Sequence, residues 1–112
     1  MAPLRSASTL PAFSQVRIEA GARAVTVERE QAGALPALIA RVGAAETGEP
    51  VAGTASLRIV LAEGARKLGV LERVEGAWRW TPDGADASAR TLRPDAELSQ
   101  ALQREAQRLL DR

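Results

Sequence analysis

Residues 57–81, LRIVLAEGARKLGVLERVEGAWRWT, decide how this chain is read. As extended backbone the segment sends Leu57, Ile59 and Leu61 to one side and Arg58, Val60 and Ala62 to the other, because successive strand side chains point to opposite faces. Glu75-Gly76 then separates Leu68–Val74 from Ala77–Thr81, as two strands joined by a tight turn require. The turn admits two registers. A two-residue loop sets Arg73 opposite Trp78 and Glu72 opposite Arg79, giving a cation–π contact and an ion pair, and drives Glu75 to positive φ. A three-residue loop of Val74, Glu75 and Gly76, with the glycine left-handed, avoids that strain and pairs Val70 with Trp80. The lower strain favours the second register.

Upstream, Gln15–Ala20 alternates Val16 and Ile18 with Arg17 and Glu19, and Ala24–Glu30 continues with Val25 and Val27. Gly21 marks the turn of a first hairpin. Leu35–Val42, LPALIARV, carries both a helical stripe (Leu35, Leu38, Ile39, Val42) and the length of a strand. Its extended neighbours favour strand. Residues 43–53 read as the longest loop. Residues 1–14, small, polar and broken by Pro3 and Pro11, read as a flexible N-terminal arm whose Leu10 and Phe13 could tuck against the core.

Downstream, Thr81–Arg93 reads as loop, with Pro82-Asp83-Gly84 as its turn signal. A C-terminal helix is expected over residues 94–111. Pro94, Asp95 and Glu97 suit its start and Arg108 and Arg112 its end. Leu98, Ala101, Leu102, Ala106 and Leu109 form an apolar arc that Glu105 interrupts, while Gln100, Gln103, Arg104 and Gln107 face outward. The expected fold is α+β: one domain over residues 15–112, with an antiparallel meander of five to six strands over 15–81 packed by the C-terminal helix.

Composition narrows the chemistry. At 112 residues with 46% hydrophobic content the chain supports one modest core, and its net charge of +1 gives no basic field for nucleic acid. Fourteen of the fifteen basic residues are Arg, which beside the abundant Ala reads as the codon bias of a GC-rich bacterial genome. There is no Cys, His or Tyr. The Ser-His-Asp arrangement, thiolate catalysis and Cys/His zinc sites are therefore excluded, and no metal or cofactor is expected. Gly48–Thr54 has the glycine spacing of a phosphate loop but lacks the lysine before its threonine. No apolar run is long enough to span a bilayer and no signal h-region is evident, so the expected compartment is the cytoplasm, or the periplasm if a signal segment has been trimmed.

Trp78 and Trp80, two apart on one strand, share a face. They read first as a plug between sheet and helix, and otherwise as an exposed platform flanked by Arg73 and Arg79. These four residues are the candidate protein-interaction site of a non-enzymatic adaptor or assembly subunit, binding a partner or itself through a sheet edge or helix face. The alternative rests on TASLRIVLAEGARKLGVLERVEGAWRWT, residues 54–81, which resembles the end of a winged-helix domain. That resemblance implies a DNA-recognition helix over 54–68 and a wing over 70–80, with Arg58, Arg66, Arg73 and Arg79 meeting nucleic acid. Gly64 in the helix interior and the near-neutral charge count against it.

Overall fold

The pleated reading of residues 57–81 holds in the computed structural model of the chain, which describes residues 10–11, 13–47, 51–84 and 88–111. The elements run β1 (Gln15–Ala20), β2 (Arg23–Glu28), a 3-10 turn (Arg29–Gln31), α1 (Leu35–Gly43), β3 (Glu46–Thr47), β4 (Leu57–Glu63), β5 (Arg66–Val74), β6 (Ala77–Pro82), β7 (Arg90–Leu92) and α2 (Ala96–Leu110). One seven-stranded sheet forms in the order β2-β1-β4-β5-β6-β7-β3. Every neighbouring pair is antiparallel. The α+β fold with its C-terminal helix is as the sequence predicts. The strand count is higher, and the path is a meander only from β4 to β7.

Register assigns the two faces. Val25, Ile18, Ile59, Leu71 and Trp80 stand in one row across five strands, and Leu57, Arg73, Trp78 and Leu92 in another. These rows form the inner face, which both helices cover. α2 crosses it from Trp78, whose indole Nε1 donates to Ser99 Oγ at 2.9 Å, to the β1–β2 turn, where Arg23 Nη2 donates to Leu110 O at 2.7 Å. α1 runs antiparallel to α2: it starts beside Glu105, whose carboxylate accepts from Ala34 N, and ends where Ala45 O accepts from Arg93 N. Leu35, Ile39 and Val42 of α1 and Leu102, Ala106 and Leu109 of α2 are buried in the same core as the strands.

Four expectations are corrected. Leu35–Gly43 is helix, not strand. Pro36 sits in the first turn, where its missing N–H costs nothing, and the stripe Leu35, Ile39, Val42 needs the helical period to reach α2 on one side. The last hairpin adopts the two-residue loop, pairing Arg73 with Trp78 and Leu71 with Trp80. Glu75 takes φ 52°, a strain on the order of 1–2 kcal/mol, and in return both indoles stand on the inner face beneath the helices. Two short strands, β3 and β7, lie where loops were expected. The winged-helix alternative falls, because residues 57–63 are strand and Gly64 is the left-handed residue of a hairpin turn.

α2 otherwise follows its sequence signals. Asp95 caps it, accepting from Leu98 N at 2.8 Å, and Gln100, Gln103, Arg104 and Gln107 are exposed. The arm expected over residues 1–14 lies mostly outside the described residues. At its end Leu10 and Phe13 are buried, and the Arg29 guanidinium lies 5.0 Å over the Phe13 ring.

Candidate functional site

The sequence candidates divide between the two faces of the sheet. Trp78 is fully buried and Trp80 is 2% exposed, so the indoles are the plug rather than a platform. The Trp80 ring owes its position to Gly69 on the neighbouring strand, where an added Cβ would come within 2.5 Å of it. Arg73 is half-buried on the inner side. Its guanidinium lies 5.4 Å from the Trp78 ring, and it donates from Nη1 to Ser99 Oγ at 2.7 Å and from Nε to Glu75 O at 3.0 Å. Ser99, itself buried, thus accepts from both an indole and a guanidinium. Sequence reasoning missed Ser99, because a serine on the margin of a helix's apolar arc carries no sign that two donors will meet it.

Arg58 and Arg79 lie on the opposite, outer face. There the pairings Glu19–Arg58, Arg58–Glu72 and Glu72–Arg79 line up a ladder of alternating charge. Arg58 reaches Glu19 at 3.1 Å and Glu72 at 3.5 Å, Arg79 reaches Glu72 at 3.0 Å, and Arg17 closes the series on Glu19 at 2.7 Å. Arg79 also donates to Val51 O and Gly53 O, tying down the segment that leads into β4. Arg66 is exposed at the β4–β5 turn. The four arginines therefore share no surface, and two of them are neutralised by carboxylates.

Among the described residues, two open surfaces bear on partner binding. One is a shallow groove of about 490 Å³ beside α2, lined by Arg73, Gln100, Gln103, Arg104 and Gln107. The other is the β2 edge. Among the described residues no strand lies beyond β2, whereas the opposite edge, β3, has only two residues. Which β2 groups face outward follows from parity. Arg29 N donates to Ser14 O, and bonded pairs alternate along an antiparallel ladder. Val27, Val25 and Arg23 therefore bond to β1, while Ala24, Thr26 and Glu28 turn their N–H and C=O groups away from the sheet. The side chains of those three are exposed. β2 carries no Pro or bulge, two of the devices that blunt a free edge, and its charges, Arg23 and Glu28, stand at its two ends and leave the middle of the edge uncharged.

Among the described residues no cluster of carboxylates gathers as a metal site would require, and no helix is long and apolar enough to cross a membrane. Residues 48–50, which open the phosphate-loop-like Gly48–Thr54, lie outside the described residues. No protein-family model matches the chain, and no curated protein or solved structure is similar to it.

Proposed function

We propose that the chain is a non-enzymatic protein-interaction module, a small subunit of a larger bacterial assembly, that takes its partner by strand addition to β2. The single observation behind this reading is the six-residue edge, whose outward backbone groups at Ala24, Thr26 and Glu28 face away from every described strand. An extended partner segment would satisfy those groups with main-chain bonds. Specificity would come from alternate side chains beside Ala24 and Thr26, small enough to admit a neighbour. The polar groove along α2 is the second surface that could serve.

Panning a random peptide-display library on the immobilised chain, followed by amide-shift mapping of the selected peptides, separates the two. Peptides that shift Ala24, Thr26 and Glu28 support strand addition. Shifts confined to Gln100, Gln103 and Gln107 would move the site to the helix and overturn it.

A further inference from the structure

We propose that β2 recognises β2 of a second copy of this chain, the two edges pairing antiparallel about a two-fold axis through Thr26. This rests on the reading of β2 as the binding edge and names its occupant.

The register follows from geometry. A two-fold axis that joins two antiparallel edges into one continuous sheet stands perpendicular to it, so residues facing each other across the joint lie on the same face. The partners must also be residues whose backbone groups point outward. Centring on Thr26 meets both conditions and gives the most bonds. Thr26 meets Thr26 of the other copy, and Ala24 meets Glu28 on either side, making three bonded pairs and about six backbone hydrogen bonds. Moving the centre to Val25 or Val27 keeps the faces matched but loses one of those pairs.

The side chains agree with this register. On the inner side each half-exposed Val25 comes opposite a Val27, continuing the apolar row Val25, Ile18, Ile59, Leu71 across the joint. At the centre sit two threonines, and each Glu28 faces an alanine, so no charge opposes its like there. The next pair outward sets Arg23 against Arg29, and both are already engaged within their own copy. Arg23 is bound to Asp111 at 2.6 Å and to Leu110 O, and Arg29 is stacked on Phe13 and donates to Phe13 O. A joint of one strand pair buries less than the roughly 1,200 Å² of a standard interface, so association is reversible and concentration-dependent.

Sedimentation velocity on the full chain over a wide concentration range tests this. The wild type is expected to self-associate. Thr26→Glu and Thr26→Lys each place like charges face to face and weaken association at least about tenfold, and mixing the two in equal amounts restores it as a heterodimer. Thr26→Pro removes an N–H that points away from every described strand and abolishes pairing, with circular dichroism reporting that the fold is kept.

A wild type that stays monomeric overturns the proposal, as does a dimer that none of the three substitutions weakens, or charge variants that fail to rescue each other. If library peptides still shift Ala24, Thr26 and Glu28 in a monomeric chain, strand addition stands with a different occupant. If they do not, both readings fall.

Discussion

On the inner face of the sheet Ile18, Ile59, Leu71 and Trp80 stand in one row, shut away from water by two helices. On the outer face the neighbouring row, Glu19, Arg58, Glu72 and Arg79, stays in contact with it. The same four strands make both rows, one residue apart. The inner row stabilises by taking apolar area out of water, about 25 cal/mol for each Å². The outer row stabilises by Coulomb attraction in a high dielectric, where an ion pair contributes roughly 0–1 kcal/mol. A substitution on the inner face should therefore cost far more than one on the outer face.

Trp78→Ala should show the largest effect. It removes a fully buried indole, the donor to Ser99 and the ring beneath Arg73, and costs about 3–5 kcal/mol. Urea denaturation followed by far-UV circular dichroism would register this. A loss under about 1 kcal/mol would mean that the inner face does not carry the fold.

Gly69→Ala attacks the same face from the opposite direction. The new Cβ would meet the Trp80 ring at 2.5 Å and Thr81 O at 2.7 Å, and the second of these is backbone, which cannot swing aside. A cost of about 1–3 kcal/mol is expected, with a change in Trp fluorescence as the indole moves.

Glu75→Gly tests the turn that decides which face the indoles occupy. With Glu75 at φ 52°, glycine relieves the left-handed strain, and the Glu75 carbonyl that accepts from Arg73 is retained. A gain of about 0.5–1 kcal/mol is expected after glycine's extra unfolded-state entropy. A loss would show that the Glu75 side chain holds the turn.

On the outer face, Glu72→Gln removes the carboxylate shared by Arg58 and Arg79. With Glu72 and Arg79 both about one-fifth exposed, the expected cost is about 1 kcal/mol. That cost should shrink as salt is added, whereas the cost of Trp78→Ala should not. Equal salt sensitivity of the two variants would erase the distinction between the faces.

Much of this contrast was legible in the sequence. The alternation in Gln15–Ala20 and Leu57–Glu63, the Gly21 turn and the capped C-terminal helix all rest on local signals that the structure keeps. What escaped was set by long-range contacts. LPALIARV fits helix and strand equally until α2 supplies an apolar neighbour along one side. The last hairpin's register looked strained because the cost at Glu75 is local, while the gain, two indoles beneath helices, comes from elements far along the chain. β7 is only three residues long, too short for a period to show. The β2 edge was hidden in another way. RAVTVE reads as an ordinary strand, and only the path of β4 to the other side of β1 leaves its outer groups facing away from every described strand.

The finest test concerns the junction of the two helices, where a charge sits at the margin of the inner layer. Glu105 interrupts the apolar arc of α2, yet it accepts from Arg108 Nε at 3.1 Å and from Ala34 N at 3.2 Å, joining the start of α1 to α2. The bond from Arg108 holds its carboxyl below the usual range, the Ala34 amide adds to this, and partial burial opposes it. A carboxyl whose folded value lies below its unfolded one binds protons more readily when unfolded. It therefore contributes stability that is fully present above the unfolded value and is lost as pH falls through the folded one. Glu105→Gln keeps the size and an acceptor for Ala34 but not the charge. Its urea midpoint should lie slightly below that of the wild type at neutral pH, and the two should converge as the medium is acidified through the carboxylate range. A gap that persists into acid would assign the role of Glu105 to shape and hydrogen bonding alone, and the helix junction would then owe nothing to charge.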